Sequence, residues 1–265
     1  MIMTITIPAG LTEAFSQLVL AAADDKLMLG HRNSDWTGLA PILEEDIAFS
    51  SISQDNVAHA LNLYEVVAGL LNGDVDALAF GRPPGEYRCA GIVEVPDSFD
   101  WATAMARQFF CTHFDLIRYS RLAACAYQPL ADLSARLMAE QRVQTEHVNT
   151  WIDRLGCGTE ESRERLQRAL DSLSPLAPML FEPVDDEDEL VKAGLYPIPA
   201  NFSDSPFDMW RNRIIESAEN AGLTINLIAP QGNEVGGRRG CHTKYFDELL
   251  DEMCEVYRLE PNHPW

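Results

Sequence analysis

Three stretches of this chain carry side chains for a buried seam at steps of three and four residues, and this pattern constrains the fold more than any other feature. The first runs Ile42, Glu45, Phe49, Ile52, Asn56, His59, Leu63, Val66 and Leu70. The second runs Trp101, Met105, Gln108, Thr112, Asp115, Tyr119 and Leu122, and the third Leu130, Leu133, Leu137, Glu140, Gln144, Val148, Trp151 and Leu155. That period belongs to one face of an α-helix. Punctuation agrees: proline stands at residues 41 and 129, Asn72-Gly73 closes the first stretch, and Gly156 and Gly158 close the third. Long helices are therefore predicted over residues 41–71, 100–127 and 129–155. Long helices joined by short connections become antiparallel neighbours in a bundle.

Shorter helices are predicted over 12–28, 159–180, 207–222 and 243–259, with loops at 30–38 and 81–91 and a short strand at 224–227. The five consecutive acids at residues 185–189 repel one another and read as a solvated loop. No repeat or low-complexity tract interrupts the pattern. A chain of 265 residues with 46% hydrophobic content suits one large domain spanning 1–265.

Each seam is broken near its middle by polar residues: Glu45, Asn56 and His59, then Thr112 and Asp115, then Glu140 and Gln144. A buried polar group without a partner costs about 1–3 kcal/mol, so such breaks should meet one another. A seam rotated by one residue would instead turn them to water. A carboxylate-bridged di-iron site in a bundle wants two Glu-x-x-His pairs, because i, i+3 spacing puts both ligands on one face. The residues three before the six histidines are Met28, Asn56, Phe110, Gln144, Arg239 and Glu260. Only Glu260–His263 satisfies the pattern, and prolines on both sides of it oppose a helix.

Charge excludes further classes. Lys plus Arg number 20 against 41 Asp plus Glu, a formal charge of −21, so nucleic acid and anionic lipid are poor partners. No apolar run is long enough to span a bilayer, and the first residues carry no positive leader region. The six cysteines form no close pair and read as reduced, small buried hydrophobes, consistent with a cytoplasmic protein.

Several fragments carry a resemblance. Leu29-Gly-His-Arg-Asn-Ser-Asp-Trp36, Ala40-Pro-Ile-Leu-Glu-Glu-Asp-Ile47, Ala106-Arg-Gln-Phe-Phe110, Arg154-Leu-Gly-Cys-Gly-Thr-Glu-Glu-Ser162, Gly236-Gly-Arg-Arg-Gly-Cys-His-Thr243, Leu249-Leu-Asp-Glu-Met253 and Trp265 occur in order across residues 29–265. Together they resemble the phenylacetate catabolic protein family. The resemblance implies a ferritin-like four-helix bundle core with additional C-terminal helices. It further implies a structural, non-catalytic subunit of a multicomponent di-iron monooxygenase that epoxidises the aromatic ring of phenylacetyl-CoA. A homologous catalytic A subunit would carry the di-iron centre, and this chain would bind no cofactor itself. Asp55…Ala58 and Glu140…Val143 are aligned with the Glu-x-x-His slots of catalytic relatives, so alkyl groups stand where imidazoles would. Glu45, Asp55, His59, Asp115, Glu140 and Gln144 are then the remnants of a degenerate metal site. His59 and Arg107 are the groups expected to pair leftover carboxylates. The acidic stretch near Asp185, Gln144 in place of an expected histidine, and Phe114-Asp115 in place of Trp-His depart from the family pattern.

Gly236, Gly237, Arg238, Arg239 and His242 admit two readings: a loop that contacts coenzyme A or the partner subunit, or a tight turn with His242 or Thr243 capping the last helix. Two other functions stay open at this point. One is an independent ferritin-like oxidase or oxygenase using Glu45, Asp55, His59, Asp115 and Glu140. The other is an acidic helical protein recruited to an unrelated basic partner.

Overall fold

A computed structural model describes residues 7–230 and 235–260. In chain order the helices are α1 (Thr12–Ser34), α2 (Leu43–Leu71), α3 (Val75–Phe80), α4 (Gly91–Glu94), α5 (Trp101–Ala123), α6 (Gln128–Gly156), α7 (Glu160–Leu173), α8 (Glu187–Lys192), α9 (Pro206–Asn220) and α10 (Phe246–Leu259). Short 3₁₀ turns lie at Ala9–Leu11, Pro84–Glu86, Ala177–Phe181 and Gly237–Arg239. Among the described residues there is no strand; residues 224–227 are irregular. The fold is all-α, as the periodicity requires. Glu260 is described but His263 and Trp265 lie outside the described residues.

Contacts divide the chain into two compact units. One takes in residues 8–96, 183–187 and 235–260; the other takes in 97–182 and 188–230. The first is built on a hairpin of α1 and α2. Gly30 meets Ser53 and Val57, Lys26 meets Asn56, and Asp24 meets Tyr64, so positions descend on one helix as they ascend on the other. The helices are therefore antiparallel. α1 extends six residues beyond the predicted end, through Gly30 and into the expected 30–38 loop. Gly30 serves close packing here and makes no turn: a Cβ on it would lie 2.9 Å from Val57 Cγ2 and 3.2 Å from the Ser53 carbonyl oxygen. Asn72 ends α2 in the left-handed region at φ 53°, and the Gly73 N–H bonds back to the Ala68 carbonyl.

The second unit is built on the α5–α6 hairpin. Trp101 packs edge-on against Trp151, His113 bonds Asn149 at 2.8 Å, and Ser120 reaches Met138, again an antiparallel register. α5 is buried almost all round, because α7 and α9 pack on it as well as α6. Phe110, Phe114, Phe181, Phe207 and Trp210 form an aromatic cluster, with the Trp210 indole N–H donating to the Phe110 carbonyl at 3.1 Å. Thr159 caps α7 by accepting the Ser162 N–H, and Ser205 caps α9 in front of Pro206. The acidic run is not all loop: Asp185 and Asp186 form a turn, and the remaining three acids begin α8.

Candidate functional site

Two places test the sequence-derived sites: the polar interiors of the long helices, and the Gly-Gly-Arg-Arg segment.

On α2 the buried face runs Glu45, Phe49, Ile52, Asn56, His59, Leu63, as the stepping predicts. Asp55 is only half-buried and Ala58 is exposed, so the slot assigned to Asp55…Ala58 is turned outward by one residue. The inward i, i+3 pair is Asn56 and His59, 0% and 1% exposed. The same one-residue rotation corrects α6. Glu140 is exposed and Val143 is 68% exposed, whereas Gln141 and Gln144 are buried and lie on one face. On α6 only one step is misplaced, since Leu133, Leu137, Gln144 and Val148 of the same series are buried; a helical face is built from steps of both three and four, and the sequence does not mark which comes next. On α2 the stepping is right, and the slot placed by resemblance is the one that is off. Asp115 on α5 is buried and ion-paired with Arg118 one turn away. Arg107 pairs with Asp97 at 2.7 Å. Glu45 is 7% exposed.

The seam pattern does not single out one further residue of this region. Lys26 on α1 is fully buried, and its ammonium donates to Asn56 Oδ1 at 3.0 Å. Taken helix by helix, α2 and α6 each lack the inward Glu-x-x-His pair that a bundle di-iron centre uses. The inward i, i+3 pairs offer Asn-x-x-His and Gln-x-x-Gln in place of Glu-x-x-His, and amides are weak, neutral ligands. An ammonium on the amide that stands in a ligand slot repels a cation further.

The Gly-Gly-Arg-Arg segment is built into the first unit. A Cβ on Gly237 would fall on the Cys89 carbonyl oxygen, so only glycine fits there. Gly240 has φ 74° and its backbone lies against Gly85, which makes it the tight turn anticipated from sequence. Arg238 is 5% exposed and grips Asp25 through both guanidinium ends at 2.8 Å, while also donating to the Arg88 carbonyl. Asp25 Oδ1 also accepts the Ala90 N–H. Arg238 is thus spent on the interior and is not presented to a ligand. Arg239 is more exposed and pairs with Asp185 at 3.1 Å, and Gly236 accepts the Arg239 and Cys241 N–H groups at the turn. His242 does not cap the last helix. Its Nδ1 bonds Glu94 Oε1 at 2.7 Å, and the Thr243 N–H donates to Glu94 Oε2 at 2.7 Å. α10 begins only at Phe246, with no side-chain cap.

Beside this segment lies a charged network on α1. Asp24 accepts the Tyr64 hydroxyl at 2.6 Å and the Arg88 N–H, and pairs with Arg82. Burial, then the Asp24 charge, pushes the Tyr64 phenol well above its ordinary range. Burial followed by the Glu94 charge does the same to the Cys89 thiol, so Cys89 is no thiolate nucleophile without a cation beside it. Four cysteines are buried as expected; Cys157 and Cys241 are exposed. In the described residues no helix is long and apolar enough to cross a membrane.

The comparisons with known proteins agree with these landmarks. A model of the phenylacetic acid catabolic protein family matches residues 4–265. A relative from Escherichia coli (strain K12), the C subunit of 1,2-phenylacetyl-CoA epoxidase, is 30% identical over 247 residues, covering 93% of this chain and 97% of that protein. With the match running through the α1–α2 hairpin, the α5–α6 hairpin and the Gly-Gly-Arg-Arg turn alike, the chain belongs to the phenylacetic acid catabolic protein family.

Proposed function

We propose that this chain is the structural subunit of a phenylacetyl-CoA epoxidase, a cytoplasmic complex in which a homologous A subunit carries the di-iron centre and the chemistry. The observation that carries the reading is the near end-to-end correspondence with the C subunit of the Escherichia coli epoxidase. The donor set supports the non-catalytic part. Asn56 with His59 on α2, and Gln141 with Gln144 on α6, are the inward i, i+3 pairs where Glu-x-x-His would stand in a metal-bearing relative, so neither helix offers the paired carboxylate and imidazole.

The outer face of α2 supports a partner role. Leu43, Ile47 and Leu61 are 70%, 64% and 48% exposed, and Leu39 and Ile42 beside the start of the helix are 58% and 47% exposed. Large exposed apolar side chains recurring on one side of a helix are a feature of interaction surfaces. The A subunit is the occupant assigned to it. Co-expression with an affinity-tagged A subunit tests the proposal. The expected result is a stoichiometric complex that survives gel filtration, with epoxidation of phenylacetyl-CoA by the complex and none by this chain alone. Separate migration of the two chains, or turnover by this chain alone, would contradict it.

A further inference from the structure

Cys89, Glu94 and His242 converge although His242 is about 150 positions away in sequence. Cys89 precedes α4, Glu94 ends it, and His242 follows the Gly237–Arg239 turn. Cys89 and Glu94 are fully buried, and the His242 side chain is 7% exposed. Cys89 Sγ lies 3.5 Å from Glu94 Oε1 and 3.9 Å from His242 Nδ1, and Nδ1 lies 2.7 Å from Oε1. A triangle with those edges has a circumscribed radius of about 2.0 Å, close to Zn–N and Zn–O bond lengths and slightly short of a Zn–S bond of about 2.3 Å. One point is therefore within bonding reach of all three atoms.

We propose that this triad is a zinc site. Sulfur, imidazole nitrogen and carboxylate oxygen form the mixed donor set that zinc prefers over hard cations such as magnesium or calcium. On binding, the Cys89 thiol proton leaves to solvent, and the imidazole binds through Nδ1 with its proton on Nε2. The thiolate and the carboxylate then balance the two positive charges of the ion; the Nδ1–Oε1 pair opens from its hydrogen-bond spacing to the edge of about 3.3 Å that tetrahedral zinc needs, and a water takes the fourth position.

The surroundings preset the ligands. Thr243 N–H holds Glu94 Oε2, which leaves Oε1 toward the ion. The His242 ring stacks on Phe246 at 3.8 Å between centroids, which fixes its orientation. Gly237 presses on the Cys89 carbonyl, fixing where the backbone carries the thiol. The site is a clasp: it ties residues 89–94 to the segment that leads into α10.

The test uses the full chain, stripped with a chelator and titrated with cobalt(II) as the probe. The expected result is an intense near-ultraviolet thiolate-to-cobalt band that saturates at one equivalent and is bleached by zinc. Cys89→Ala should abolish the band and weaken zinc binding by about 100-fold, since even partners outside the coordination sphere are worth about 10–100-fold. Glu94→Gln should weaken zinc binding while keeping the band. Cys241→Ser, at the exposed neighbouring thiol, should change neither. Circular dichroism confirms that each variant is folded; if Cys89→Ala unfolds, Cys89→Ser takes its place. A folded parent chain with no band, a band that persists without the Cys89 thiol, or a band that disappears with Cys241→Ser would overturn the proposal.

Discussion

At Arg238 the guanidinium and the Asp25 carboxylate are both out of water, and each neutralises the other. Removing one member of such a pair leaves the other buried and uncompensated, at a cost of about 3–5 kcal/mol. Arg238→Met should lower stability by that amount in urea denaturation, whereas Arg239→Met, at the more exposed neighbour, should change it by less than about 1 kcal/mol. His113 gives a pH signature. Burial lowers its pKa from 6.5 to about 4, with Arg213 adding to the effect and the Asn149 bond opposing it. Between those values the unfolded chain takes up a proton that the folded chain refuses, so stability falls as pH drops from about 6.5 to about 4, by about 3 kcal/mol at most. His113→Gln should flatten that decline in denaturation midpoints measured across the range; an unchanged slope would contradict it. Neither residue is legible in the sequence as buried. Asp24, Asp25 and Lys26 are three adjacent charged residues, yet all three are buried, because Arg82, Arg238 and Asn56 reach them from distant positions. Local pattern carries no information about such distant partners.

Among the elements, the long helices are legible because their apolar period, proline starts and glycine or asparagine stops agree. Register and the role of one glycine are not. The stepping turns Glu140 inward although Gln141 is the buried residue, because a step of three and a step of four from Leu137 both stay near one helical face and only packing decides between them. Gly30 reads as loop because glycine usually breaks helices, but here it lets α1 and α2 approach. Gly30→Ala adds up to about 1 kcal/mol of helix propensity and forces a methyl against the Ser53 carbonyl and Val57. Overpacking costs about 1–3 kcal/mol, so the net expectation is a lower melting temperature. Val57→Ala in the same chain should recover part of it. A Gly30→Ala protein as stable as the parent would refute the close-packing role. The short helices α3, α4 and α8 escape the pattern because four to six residues give too few turns to show a period.

For the whole molecule, the account rests on division of labour: a homologous subunit holds iron, and this chain braces it. The family is legible from fragments spread over the chain, whereas which polar positions of α2 and α6 face inward requires coordinates. The exposed apolar face of α2 should be part of the brace. Leu43→Asp with Ile47→Asp should weaken co-purification with the A subunit at least tenfold while leaving helix content unchanged, since both side chains already face solvent in the isolated chain. Equal recovery would move the interface elsewhere. The most direct test of the central claim is the visible absorption spectrum of the isolated chain after ferrous iron and then dioxygen are added. The account predicts no bridged diferric band, because Asn56, Gln141 and Gln144 occupy the inward faces and Lys26 sets an ammonium on the Asn56 amide. A band developing at about two irons per chain, the content of a bundle di-iron site, would contradict it.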